Sequence, residues 1–423
     1  MKDPHRLGAA TLVLLAACSS PRGIGDAGTA GDVGLTPGTG GASAGGNSAG
    51  GTSTGGTSTG GMTGAAGATP PPDGGGAVSD AMAPHYGDGA IQPVAATPPA
   101  MWVNVTGNLA GMASECGNTP YLASHPGYDM LITSVAKHGL WSSTDGGASW
   151  KQLWSAAAAQ QITNRGSSLV FDPAHADTFW ESGIYNGPGV YRTTDNGVTF
   201  TALGDAHHID SVSVDLSDPL RQTLLAGGHE QKNTVYRSTD GGATWTNVGM
   251  NLPAGTNFCT TALVIDKNIH LVGCSGYAGG TDGVFRTTDG GKTWTATTTA
   301  SAATAPLWAS DGAIYWSLIY DHGLIKSTDQ GRTWTQTIQG GMLKTGHPIE
   351  LPDGRIVAPG GKTLMISADK GVSFKPVGDT LPFVPNTIDY SPYRNAFFIE
   401  QFDCGDAVVA HAISRFGFDY RTQ

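Results

Sequence analysis

One phrase, Ser/Thr-x-Asp-x-Gly-x-x-Trp/Phe, recurs six times along the chain. It stands at Ser143-Asp145-Gly147-Trp150, Thr193-Asp195-Gly197-Phe200 and Ser238-Asp240-Gly242-Trp245. It returns at Thr287-Asp289-Gly291-Trp294, Ser327-Asp329-Gly331-Trp334 and Ser367-Asp369-Gly371-Phe374. The aspartates lie 50, 45, 49, 40 and 40 residues apart. A period of that length marks supersecondary units that bury their faces only against one another. The phrase itself has the chemistry of a hairpin turn. Its Asp accepts from backbone N–H groups two or three residues on, and its Gly takes a positive φ. Its aromatic opens the next strand and packs inward. Strand-like runs flank it, "GVYRT" and "TVYRS" before, "TWTNV" and "TWTAT" after.

Each repeat holds two further strands. "SLVFDPAHADTFWESGIY" breaks at "DPAHAD", "SVSVDLSDPLRQTLLAGG" at "LSDPLR", and "LVIDKNIHLVGC" at "DKN". Four strands per 40 to 50 residues predict an all-β fold, the β-propeller. The opening stretch "MWVNVTGNLAG" (Met101 to Gly111) parallels "TWTNVGMNLPAG" (Thr244 to Gly255), an outermost strand with its exit loop. The C-terminal stretch supplies three strands with no phrase after them. The two ends together complete one blade, which makes seven; six blades is the alternative.

The phrase resembles the Asp box, or bacterial neuraminidase repeat, of sialidases, xyloglucan hydrolases, sortilin-type receptors and photosystem assembly factors. The six copies account for the whole region from Met101 to Gln423. The resemblance implies a propeller that hydrolyses a glycan, as a sialidase-like glycosidase, or that binds carbohydrate or protein without chemistry. A sialidase needs three arginines around a carboxylate, a Tyr nucleophile helped by Glu, and an Asp acid. Here the usual Arg-Ile-Pro start is missing. Arg355-Ile356-Val357 is the nearest text, on the turn side, and only Arg165 is well placed. Xyloglucan hydrolases pair two propellers and carry an Asp in a "TDxGG" stretch, where this chain reads "VAKHGLW".

Strand alternation separates the two faces. The boxes join the third and fourth strands, so Asp145, Asp195, Asp240, Asp289, Asp329 and Asp369 are expected to be scaffolding. The remaining loops open on the other face and are rich in polar groups. Expected catalytic residues are Glu230, Asp321 and His229, with Glu400 a further carboxylate at the channel mouth. Expected substrate contacts are His138, Tyr185, Asn186, His207, His208, Tyr277, His322 and His347. Two carboxylates would serve glycoside hydrolysis. A histidine cluster would instead serve a polysaccharide lyase, with a divalent metal to acidify the substrate's α-proton. No metal motif of strong spacing is present, so neither metal nor cofactor is otherwise expected.

The N-terminus is different material. "MKDPHRLGAATLVLLAACSS" has a charged start, a short apolar run and Cys18 after Leu15-Ala16-Ala17. Leu-Ala-Ala-Cys resembles the bacterial lipobox. That resemblance implies a signal over 1–17, lipid on Cys18 and, with Ser19 following, outer-membrane placement. Residues 18–100 are rich in Gly, Ser, Thr and Pro and nearly free of large apolar side chains, so they read as a disordered tether. About 80 such residues span roughly 50 Å. The domain is 101–423. Its expected partners are an extracellular glycan and, through the anchor, the membrane, and it is expected to be a monomer. A net charge of -11 and a pI near 5.4 argue against nucleic acid. Beyond Cys18, four cysteines permit two disulfides. Cys116 and Cys404 fall on the two sides of the ring closure, and Cys259 and Cys274 flank one hairpin.

The anchor reading is tested by Cys18→Ser. The variant is expected to leave the membrane fraction without acylation; unchanged membrane association would remove the lipoprotein assignment.

Overall fold

The computed structural model describes residues 97–154, 162–275, 280–302, 304–319, 322–340 and 346–422. The signal, Cys18 and the tether up to residue 96 lie outside the described residues, as do Tyr277 and Asp321. The described strands form seven four-stranded antiparallel sheets. Blade one runs Leu122–Ser124, Leu131–Val135, Gly139–Ser143 and Lys151–Gln152, from the channel outward. Blade two is Arg165–Phe171, Phe179–Ile184, Val190–Thr193 and Thr201–Ala202. Blade three is Ile209–Val214, Leu224–Gly228, Val235–Ser238 and Thr246–Asn247. Blades four to six repeat the order, with innermost strands Phe258–Val264, Leu307–Trp308 and Ile349–Glu350. Blade seven joins the two ends. Thr387–Ser391, Ala396–Glu400 and Ile413–Gly417 come from the C-terminal side, and Trp102–Asn104 pairs on outside. The seven-bladed propeller is therefore the fold.

The core lies between the blades, because alternate residues of a strand point to opposite faces. In Ile314–Ser317, Ile314 and Trp316 pack toward blade four while Tyr315 packs toward blade six. Among the described residues seven apolar clusters result, one for each pair of neighbouring blades. The cluster of Val105, Leu122, Leu131, Phe398 and Ile413 closes the ring between blades seven and one. Two disulfides, Cys116–Cys404 and Cys259–Cys274, complete the covalent framework.

The six boxes have one geometry. In the box of blade three, Asp240 Oδ1 accepts from the Ser238 hydroxyl (2.7 Å) and the Thr244 N–H (2.9 Å), and Oδ2 accepts from the Thr244 hydroxyl (2.6 Å). The Gly242 N–H donates to Ser238 Oγ. The main backbone donor is thus four residues on, one residue beyond the range the sequence suggested, and the motif gains a Ser or Thr there in every copy. Gly242 takes φ 93° and lies against Leu203 of the preceding blade, where a Cβ would meet the Leu203 side chain at 2.8 Å. The box tryptophan also reaches back to the preceding blade. Trp150, Trp245 and Trp294 donate to the carbonyls of Val105, Leu203 and Val248. The aromatic packs between blades rather than into a blade of its own.

Hydrogen bonds from the Thr244 hydroxyl, the Thr244 N–H and the Ser238 hydroxyl hold Asp240 at about 2. The same bonds hold Asp145 and Asp289 at about 2 against the opposing effect of burial. A carboxylate held below its ordinary value contributes stability above that value and loses it as pH falls. Asp240→Asn is therefore expected to melt below wild type at neutral pH. The gap should close as pH drops from about 4 toward 2. Melting curves at several pH values check this; a gap that persists unchanged at pH 2 contradicts it. Trp294→Phe removes the indole bond to the Val248 carbonyl, which keeps its bond from the Asn251 N–H, and should cost about 0.5–1.5 kcal/mol in denaturant melts.

Candidate functional site

The innermost strands line a central channel of about 710 Å3. At its mouth on the face away from the boxes, three of these strands are irregular. Register shifts fall between Gly166 and Ser168 in blade two, Ile209 and Ser211 in blade three, and Phe258 and Thr261 in blade four. A bulge bends a strand and re-aims a side chain. The bulge of blade three carries Asp210, and the strand of blade two begins at Arg165, one residue ahead of its own bulge.

Asp210 meets His229, the first residue after the second strand of blade three. His229 Nδ1 lies 2.9 and 3.0 Å from the two carboxylate oxygens. His229 Nε2 lies 3.4 Å from the Tyr185 hydroxyl, which comes from the loop of blade two. The Tyr185 ring stands edge-on to both His229 and His208, with centroids 5.5 and 5.9 Å apart, and the Tyr185 backbone N–H donates to His208 Nδ1. The Arg165 guanidinium lies 4.9 Å above the Tyr185 ring and 5.5 Å from Phe402 of blade seven. Among the described residues no carboxylate pairs with Arg165; the hydrogen bond it makes is to the Cys116 carbonyl, 3.0 Å. Elsewhere Arg221, Arg355, Arg394 and Arg421 each have an aspartate.

Tyr185, His208 and Glu230 all hold left-handed backbone, at φ 71°, 53° and 49°. Such conformations are costly for residues other than glycine and gather at functional sites. Burial works against a charged His229. The hydrogen bond to Asp210 and that carboxylate's charge, with Glu230 adding, overcome it and raise the imidazole above its ordinary value. His208 moves the other way, lowered by burial and by the charges of His229 and His207.

The expected residues divide accordingly. Tyr185, His208, His229 and Glu230 gather between blades two and three; Asn186 and His207 are exposed beside them. Glu230 is exposed and influences the site through its charge. His138 stands in blade one with Nε2 on the Ala113 carbonyl, 2.7 Å. His322 is exposed in blade five, and His347 lines the channel at blade six, lowered to about 4 by burial. Glu400 is corrected from loop to strand. It ends Ala396–Glu400, fully buried, with Thr119, Asn386 and Thr387 as donors. Burial raises its carboxyl well above the ordinary range. Phe402 went unnoticed because nothing in "IEQFDCGD" distinguishes it from any loop aromatic. Among the described residues no group of three or more His, Cys, Asp or Glu could hold a metal ion.

Residues 285–296, the box of blade four, match the BNR/Asp-box repeat model. The chain is a seven-bladed propeller built on Asp-box repeats. No curated protein matches it. Among solved structures it is similar to an extracellular domain from B. thetaiotaomicron described as that of a one component system. The identity is 11%, the TM-score 0.52, and the match covers 75% of this chain and 40% of that one. It is also similar to the GH74 xyloglucanase of Xanthomonas campestris (16% identity, TM-score 0.47, 76% and 56% covered). A third is YCF48 from Cyanidioschyzon merolae (13%, 0.45, 75% and 99%). This propeller spans just over half the length of the xyloglucanase. At these identities the likeness is one of fold.

The Asp210–His229 pair has a direct consequence. Because the His229 value is raised, its imidazole should titrate above about 6.5. Asp210→Asn removes the hydrogen-bonded charge, leaves burial to dominate, and should move the midpoint down. NMR titration of His229 checks both; a midpoint that does not move in the variant contradicts the pairing.

Proposed function

We propose that this propeller binds an acidic extracellular polysaccharide at its channel mouth and cleaves it by β-elimination. The observation that supports this reading is the chain Tyr185 hydroxyl, His229, Asp210, set beside an Arg165 that no described carboxylate neutralises. A uronate carboxylate would pair with Arg165, and the pairing makes the adjacent C5–H more acidic. Tyr185 oxygen takes that proton as its own passes to His229 Nε2, and Asp210 holds the imidazolium that forms, as in a triad. The C4–O bond breaks as the C4=C5 double bond forms. The leaving oxygen takes up a proton from the same relay. Tyr185 and Phe402 offer apolar faces for the sugar rings on either side of the cation.

The lipobox-like N-terminus and the Gly/Ser-rich stretch fit presentation of this domain on a bacterial envelope, where its polymer would be met outside the cell.

The test is a panel of polysaccharides with and without uronate, read for unsaturated-product absorbance, for reducing ends and for binding. Uronate polymers should yield the unsaturated product. Tyr185→Phe should lower kcat by about 10²–10⁴ with little change in KM, and Arg165→Gln should chiefly raise KM. Reducing ends without the absorbance would make the enzyme a hydrolase, with Glu230 and Asp321 as its carboxylates. Binding without turnover would make it a recognition domain. Either result overturns elimination.

A further inference from the structure

The Cys116–Cys404 disulfide is more than a staple on the ring closure. It joins the segment entering blade one to the loop of blade seven, and both of its arms touch Arg165. On one arm the Cys116 carbonyl accepts from Arg165 Nη1, 3.0 Å. Gly117, at φ 98°, follows so closely that a Cβ there would lie 2.4 Å from Arg165 Cδ. On the other arm Phe402 stands two residues before Cys404, its ring 5.5 Å from the guanidinium. The arms are knitted together. Gly117 N–H donates to the Asp403 carbonyl (2.7 Å), and Asn118 Nδ2 donates to the same oxygen (2.9 Å). One strand pairing and two backbone-to-side-chain bonds hold the closure independently of this bond. Trp102–Asn104 is laddered to Ile413–Gly417, and Leu122 and Ser124 donate to Thr387 and Asp389. The closure therefore has its own support, and the disulfide acts on a different object, the walls of the Arg165 pocket.

We infer that the Cys116–Cys404 disulfide, with Gly117 and Phe402, is a positioning device that holds the Arg165 guanidinium in the channel mouth as a preformed carboxylate subsite, and that breaking it releases the arginine while the propeller stays closed. This rests on the reading of Arg165 as the uronate contact. The guanidinium has four rotatable bonds behind it and, among the described residues, no anion to fix it. Without the carbonyl and the ring on either side it would sample many rotamers, and binding would bear the ordering cost.

The experiment uses the full chain and two readouts. The first needs no substrate. His229 feels Asp210, Glu230, His208 and Arg165, whose positive charge opposes its protonation. Loss of Arg165 from its place should therefore raise the His229 midpoint. It is measured by NMR on histidine-labelled protein, with Arg165→Gln as the reference for a missing charge. The second readout is affinity for a uronate oligosaccharide. Cys116→Ser/Cys404→Ser is expected to melt cooperatively, to show the His229 midpoint of Arg165→Gln, and to bind about ten- to a hundredfold more weakly. Gly117→Ala, which keeps both cysteines, should do the same by displacing the arginine, and serves if the serine pair fails to fold. A folded variant with wild-type midpoint and affinity overturns the inference. If wild-type protein binds no uronate at all, the proposed function fails, but the titration still decides whether the disulfide positions Arg165.

Discussion

Each blade is tied to the one before it at its box. The carboxylate alone does not make that tie. Asp240 organises a turn in which two consecutive residues take left-handed backbone, and the turn then places Gly242 and Trp245 against Leu203 of the preceding blade. The aspartate is solvent-facing and its bonds are local, yet they decide where a buried indole goes. Polar chemistry at the rim thereby sets the packing of the apolar interface beneath it. Six such turns cover six of the seven interfaces. Blade seven has no box and is joined by strand pairing between the two ends of the chain.

A propeller has a second problem at its centre, since every innermost strand is an edge. Unpaired N–H groups there would be a liability. Side chains from the preceding blade answer it. Ser134 accepts from Gly166, Ser168 from Val212, Ser213 from Val264, Thr387 from Leu122 and Asp389 from Ser124. Asp389 thus does the work that serines do elsewhere, at the cost of burying a carboxyl that burial raises to about 7. Its titration is a by-product of this structural duty, and it has no described contact with the Tyr185 cluster.

With the boxes securing one face and the edge caps securing the channel, the opposite face is free to depart from regular geometry. It does so where the chemistry gathers. Bulges interrupt the strands of blades two to four, and three residues of the cluster carry left-handed backbone. His229 has the Asp210 carboxylate behind it, whereas among the described residues no carboxylate pairs with Arg165.

The repeat was legible before any coordinates, and with it the blade period, the composite seventh blade and the structural duty of the box aspartates. These follow from local chemistry, since a turn that needs Ser/Thr, Asp and Gly at fixed offsets writes itself into the sequence at each occurrence. The loop face was legible as well, because strands that alternate direction place alternate loops together. Which polar loop residues converge was not legible. His138, His322 and His347 resemble His208 and His229 in their local sequence, but they stand on other blades. Glu400 looked like a loop carboxylate and proved to be buried. Arg165, Asp210, Tyr185, His229 and Phe402 lie up to 237 residues apart, and no local signal orders them. Their meeting depends on the angle between blades, on two bulges that turn side chains toward the channel, and on a disulfide that carries blade seven's loop across the entry to blade one. Those are properties of ring closure, which only the packing of all seven interfaces determines.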